Sequence, residues 1–228
     1  FVATLVVTKL PETLPEDHRR PFTPASIVDG FRIVLTNRIA LFYTLAMSFI
    51  FGGLFGFINS AQQILVGVYD LGVWFPLAFA AFAGLMAVAS FTNSRLVKRY
   101  GMRPLSHAAL IGFTLASLAW IMLASVMTLP FWLFVIVYCC AMFQFGLIGA
   151  NFNAMAMEPL GRVAGTASSV LGFTQTIVGS VIGALIGQAF DGTVRPLAAG
   201  FFTVAVIGLI FVLIAERGKL FQPHAPAH

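Results

Sequence analysis

The sequence predicts an all-α membrane protein built around six transmembrane helices, and three observations predict it. Six predominantly apolar stretches, each long enough to cross a bilayer, fill the chain from about Arg38 to Ala215. Hydrophobic residues make up 59% of the 228 and charged residues only 9%, with a mean hydropathy of +0.95. An ordinary soluble domain is about half apolar and about a quarter charged, so a soluble core could not bury this much. The basic residues, finally, fall almost entirely in alternate gaps between the apolar stretches.

A hydrocarbon layer of about 30 Å takes about 20 helical residues at a rise of about 1.5 Å. That places spans near 39–61, 72–94, 104–126, 130–152, 164–189 and 195–215. Lipid offers backbone amides no partners, which leaves helices or a closed barrel. The unbroken runs from Trp74 to Phe91 and from Phe201 to Ile214 lack the alternating polarity of barrel strands and read as helices.

In chain order, residues 1–8 come first. Phe1 to Val7 is apolar but too short to span, lacks the basic n-region of a signal peptide, and reads as the end of a preceding transmembrane helix. On that reading the chain is the C-terminal piece of a longer protein. Residues 9–37 read as a cytoplasmic loop between two bundles, with Glu12, Glu16, Asp17, His18, Arg19 and Arg20 set among prolines. Helical signals return at its end. Thr23 can cap, Pro24 suits a first turn, and Ile27, Phe31 and Leu35 recur opposite Asp29 and Arg32. A short helix at the membrane interface accounts for this pattern. Residues 38–215 then form the six-helix bundle, and 216–228 a cytoplasmic tail.

The gaps set the orientation. Lys9, Arg19, Arg20, Arg32 and Arg38 precede the first complete span, Arg95, Lys98, Arg99 and Arg103 separate the second from the third, Arg162 follows the fourth, and Arg217 and Lys219 follow the sixth. The complementary gaps hold only Arg195. By the positive-inside rule both ends of the segment are cytoplasmic, as an even number of crossings requires. The net charge of +5 therefore reflects orientation and anionic headgroups rather than nucleic-acid binding.

Inside the spans the informative residues are small or polar. Gly161 and Gly165 begin a series continued by Ser168 or Ser169, Gly172, Gly179, Gly183 and Gly187. Small residues one turn apart open a groove for close approach by another helix, a common device that by itself implies no substrate role. Gln144 and Asn151 lie seven residues apart on one face of the fourth span, with Asn153 beyond. Gln175 lies among the glycines of the fifth, while Asn59, Gln62 and Gln63 sit at the outer end of the first. Each amide has donors and an acceptor to satisfy, so these groups should face the bundle interior, either bonding between helices or lining a cavity. Phe49, Phe51, Phe55 and Phe57 crowd the first span, mostly for packing, though a few suit the apolar wall of a permissive pocket.

Asp70, Glu158 and Asp191 lie in or near gaps, so no span carries a clear mid-membrane carboxylate for reversible protonation. His107 reads as an interface residue rather than a proton relay, and Cys139 and Cys140 as packing residues rather than a disulfide or metal site. Motifs for zinc or serine hydrolysis and for a phosphate-binding loop are missing, which argues against an enzyme and against any cofactor.

Three segments resemble a known family. They are Leu10-Pro11-Glu12-Thr13-Leu14-Pro15, the loop from Ser94 to Arg103, and the run from Ala156 to Ser169 followed by the glycine series and Gly187 to Thr193. Together they look like the C-terminal half of the major facilitator superfamily, specifically its Bcr/CflA multidrug-efflux branch, over essentially the whole chain. Leu96, Arg99, Gly101 and Arg103 match the family's basic cytoplasmic motif, while Ser94 replaces its glycine and Lys98 its acidic residue.

The resemblance implies a six-helix bundle that is half of a twelve-helix fold, with a cavity near the midplane and alternating access by rocking of the halves. It implies export of small amphipathic compounds, driven by the proton gradient, in a bacterial inner membrane. The partners would be the small-molecule substrate, the bilayer and an N-terminal six-helix half. Gln144, Asn151, Gln175, Asn59 and Phe55 are then the cavity candidates. Gly165, Gly172, Gly179, Gly183 and Gly187 would pack the fifth span against the other bundle, and Arg99 and Arg103 would stay with loops or headgroups.

Overall fold

A computed structural model describes residues 24–222. The expected helix end at residues 1–8, and the loop as far as residue 23, lie outside the described residues. Helix α1 runs Pro24–Thr36 and breaks at Asn37, whose Oδ1 accepts from the Ala40 amide at 3.0 Å and caps the next helix. Six long helices follow. α2 spans Arg38–Gln62 and continues through a wider π-helical turn at Gln63–Val68. α3 spans Phe75–Tyr100, α4 Met102–Val126, α5 Phe131–Met157, α6 Ala164–Gln188 and α7 Arg195–Ala215. Each is long and apolar enough to cross a membrane. Val34 of α1 is buried, whereas Phe31 and Leu35 stay exposed.

The turn between α3 and α4 needs only Gly101, whose φ of +84° is open to a residue without Cβ. Between α2 and α3, Asp70 and Gly72 take left-handed conformations at φ +51° and +49°.

α2 is the central helix, flanked by α6, α7 and α5. Its contact with α6 is a two-way interlock. A Cβ on Gly52 would meet Ile182, and one on Gly56 would lie 2.8 Å from Ile186 Cγ2. In return, the Phe55 side chain fills the groove at Gly179 and Gly183, and Asn59 fills it at Gly187. Glycines on both helices thus admit branched and aromatic side chains of the partner, the packing that drives association where lipid removes the hydrophobic incentive.

This corrects the expected partner of the glycine groove. Gly179, Gly183 and Gly187 face α2 of the same bundle rather than another bundle. Gly165 and Gly172 have no neighbour within 4 Å where a Cβ would stand, and both are exposed. Register decided this outcome. The series looks continuous in sequence, but helix drift and the crossing angle leave only its second half opposite α2.

The rest of the core is aromatic. Trp120 of α4 meets Phe201 of α7 at 5.1 Å and Phe134 of α5 at 5.8 Å, and Phe57 of α2 lies 4.4 Å from Tyr138 of α5. Gly146 lets the Ala89 methyl of α3 approach α5 closely.

Arg195, the lone basic residue of the complementary gaps, is used for structure. Its Nε donates to Ala124 O at 2.6 Å and its Nη2 to Ser125 O at 3.4 Å, closing the C-terminal carbonyls of α4. Beside it, the Thr193 hydroxyl donates to Asp191 and holds that carboxyl below its ordinary range. Arg195→Ala is expected to lower stability in detergent by about 1.5–3 kcal/mol, the scale of a charge-assisted hydrogen bond. Thermal unfolding of the purified protein followed by fluorescence checks this, and an unchanged midpoint would remove the capping role.

Candidate functional site

At the basic end of the bundle a buried polar network joins four helices. Arg103 lies in the first turn of α4, where the helix dipole disfavours a cation, so its burial needs acidic partners. It has two. Nε donates to Glu216 Oε1 at 3.0 Å and Nη2 to Glu158 Oε2 at 3.2 Å. Glu216 directly follows α7 and Glu158 directly follows α5, so one guanidinium pins both helix ends to α4. The Arg103 side chain is 7% exposed, Glu216 13% and Glu158 40%.

Glu216 Oε1 also accepts from the Tyr43 hydroxyl of α2 at 2.6 Å. Tyr43 Oη lies 2.8 Å from His107 Nε2, and the Phe221 amide donates to His107 Nδ1 at 3.1 Å. An imidazole nitrogen that accepts from a backbone N–H carries no hydrogen, so the ring hydrogen sits on Nε2 and is donated to Tyr43. The chain of bonds therefore has one direction: Phe221 N–H to His107, His107 to Tyr43, and Tyr43 to Glu216.

One expectation is corrected here: Arg103 is buried in the bundle and does not stay with loops or headgroups, while His107, expected at the interface near the start of its span, lies at that end, 1% exposed and bonded within the protein. Glu216 and Tyr43 carried no expectation. A sequence signal did exist, because Arg103 and His107 stand four residues apart on one face of α4 and Glu158 and Glu216 each end a span. Which ends meet, however, depends on tertiary packing. Of the rest of the matching motif, expected in a loop, Leu96 and Arg99 lie in the last turns of α3, Leu96 half-buried and Arg99 exposed with its guanidinium 5.3 Å from the Tyr100 ring.

Within the membrane the structure parts the expected cavity residues. Asn151 is buried and donates through Nδ2 to Asn93 Oδ1 of α3 and to Leu147 O, both at 2.7 Å. Gln144 lies instead against α4, its Cδ 3.1 Å from where a Gly112 Cβ would stand. The two side chains, expected on one face, serve different neighbours. Gln175 donates to Asn153 Oδ1 at 2.8 Å, tying α6 to α5. Asn59 is exposed at the end of α2, and Phe55 is half-buried in the α6 groove. Asn93, unremarked in the sequence, is buried.

These bonds separate two mutations. Asn151→Ala strands the Asn93 amide inside the membrane and is expected to cost about 1 kcal/mol, the scale of an interhelical hydrogen bond there. Gln144→Ala breaks no hydrogen bond among the described residues and is expected to leave abundance unchanged. Quantitative immunoblots of membranes would show the difference, and equal losses would contradict it.

The chain has relatives among known proteins. It is 31% identical over 214 residues to a "Bicyclomycin resistance protein homolog" of Haemophilus influenzae, covering 93% of this chain and 53% of that protein. It is 28% identical over 223 residues to the "Uncharacterized MFS-type transporter YdgK" of Bacillus subtilis, covering 95% of this chain and 54% of that one. The chain thus spans about half the length of the curated relatives it matches. No solved structure gives a significant match. The Major Facilitator Superfamily profile matches residues 1–184, and with six membrane-length helices and no strand among the described residues, the chain belongs to the Major Facilitator Superfamily.

Proposed function

We propose that this chain forms the C-terminal six-helix half of a secondary active transporter that exports small amphipathic drugs or toxic compounds, by proton antiport with alternating access. On this reading it lies in a bacterial inner membrane with both ends of the segment cytoplasmic. The observation that carries the reading is the 31% identity, over 93% of the chain, to a bicyclomycin-resistance homologue.

The build of the bundle supports it. Rocking requires a half that moves as one body, and the Arg103 network ties α2, α4, α5 and α7 together at the basic end. Rocking also requires a face on which to move. Ala80, Ala83, Ala87 and Ser90 on α3, and Gly165, Ser168, Gly172 and Thr176 on α6, are small and exposed at membrane depth. The hydroxyls of Ser168 and Thr176 return to carbonyls of their own helix, so these faces present little polarity. They suit close approach by helices of an N-terminal half.

Asp70, Glu158, Asp191 and Glu216 lie at the ends of spans or between them. The group that exchanges the coupling proton is accordingly proposed to lie in that other half. Coupling would then arise from differential affinity for drug and proton in the inward and outward states.

The test is drug accumulation in efflux-deficient bacteria expressing the full-length gene, with and without a protonophore. Lower accumulation, abolished by the protonophore, is expected. Unchanged accumulation across a chemically broad panel would point instead to an importer or a scaffold.

A further inference from the structure

The geometry points to a binding site for one aromatic ring of a transported compound, in a cavity between α2, α3 and α5. This deepens the export reading and rests on it. The cavity measures about 190 Å³, somewhat more than the about 150 Å³ of an apolar protein cavity known to hold benzene. Its walls are largely rings. Phe57 lies 5.7 Å edge-to-face from Phe82 and 6.0 Å stacked with Phe79, and Phe82 lies 4.7 Å from Tyr138. Centroid distances of this kind are the favourable ones for aromatic pairs, so a further ring entering here would meet faces and edges already in place.

Tyr138 supplies the only side-chain hydroxyl among the lining residues. The residue is 1% exposed; its hydroxyl takes part in no hydrogen bond among the described residues and is not among the fully buried polar atoms left unpaired, so what little surface it keeps is open to a ligand. A buried tyrosine normally finds a partner. Behind it Trp120, Phe134 and Phe201 hold the ring from the other side at 5.7–6.0 Å, so the hydroxyl is fixed in place and left for a ligand acceptor.

A lipid chain is the competing occupant. It would gain nothing from the hydroxyl, and a ring leaving lipid for this cavity gains no hydrophobic free energy either, because both surroundings are apolar. The preference must then come from ring geometry, worth about three- to tenfold in affinity. Ala83, which lines the cavity, also belongs to the exposed small-residue face of α3, which suits an opening toward another bundle more than toward bulk lipid.

The test uses the full-length transporter in nanodiscs and two probes that differ by one ring, benzyldimethyldodecylammonium and dodecyltrimethylammonium. Wild type is expected to bind the benzyl compound three- to tenfold more tightly. Ala83→Leu and Leu54→Phe fill the cavity from opposite helices at positions that are not fully buried, and each is expected to abolish the preference while leaving the trimethyl compound unaffected. A para-nitrobenzyl analogue should bind more tightly still to wild type but not to Tyr138→Phe. No binding of the benzyl compound, no preference in wild type, or a preference that survives in both filled variants overturns the site. Ring-selective binding without gradient-driven export would leave the site standing and remove the export reading. Export without ring selectivity would do the reverse.

Discussion

Gly183→Leu is expected to abolish transport by the full-length protein and to cut its abundance in the membrane severalfold. A Cβ at position 183 would press on the Phe55 Cβ and would stand 2.8 Å from the Phe55 carbonyl carbon and 3.0 Å from the Gly56 nitrogen. Two of those atoms are backbone, so no rotamer change relieves the contact. α2 and α6 must separate, which withdraws Ile182 and Ile186 from Gly52 and Gly56 on the other side of the interlock. Overpacking of this kind costs about 1–3 kcal/mol in soluble cores, and leucine adds three further carbons to the clash.

Gly172→Leu makes an instructive comparison, because nothing lies within 4 Å of the added Cβ. It should leave the bundle intact and lower transport only through contacts with a second bundle. Abundance, melting in detergent and export of the two variants read the difference. Normal melting and export in Gly183→Leu would refute the packing role.

Arg103→Ala is expected to destabilise the bundle by about 3–5 kcal/mol, the range for removing one partner of a buried ion pair. The loss exceeds that of an ordinary surface pair because Glu216 stays buried with the Tyr43 hydroxyl as its remaining partner. Arg103→Lys should recover only part of it. An ammonium is a point charge, whereas the guanidinium reaches Glu216 through Nε and Glu158 through Nη2 at once. Removing the two buried charges, in Arg103→Met with Glu216→Gln, is expected to fall between wild type and Arg103→Ala, since the ion left unpaired, Glu158, is 40% exposed and keeps its hydration. The order of the melting midpoints decides the matter. A headgroup-facing arginine would leave all of them alike.

Much of the fold was legible because a bilayer leaves the chain few choices. The expected spans near 39–61 and 195–215 match the cores of α2 and α7, the latter spanning Arg195–Ala215. Apolar length and backbone satisfaction, which dictate those spans, are properties of a single segment. The helix beginning at Pro24 was legible for the same local reason.

The site was much less legible. Gln144 and Asn151 share a helix face by spacing, yet one meets α4 and the other α3. Arg99 and Arg103 belong to one motif, yet Arg99 is exposed while Arg103 is 6% exposed and paired. Periodicity says which residues share a stripe and is silent on which helix covers each turn of it.

By itself, then, the sequence determined the number of membrane spans, their approximate positions, the end at which positive charge collects and the family, since each follows from local composition or from motif order along one chain. Only the tertiary structure decided that the glycines of α6 receive Phe55 and Asn59 of α2, that Arg103 joins the ends of α5 and α7, and that Phe57, Phe82 and Tyr138 converge around a cavity. Those pairings join residues far apart in sequence. They depend on crossing angle and register, which arise when helices pack against one another and are written in no single segment.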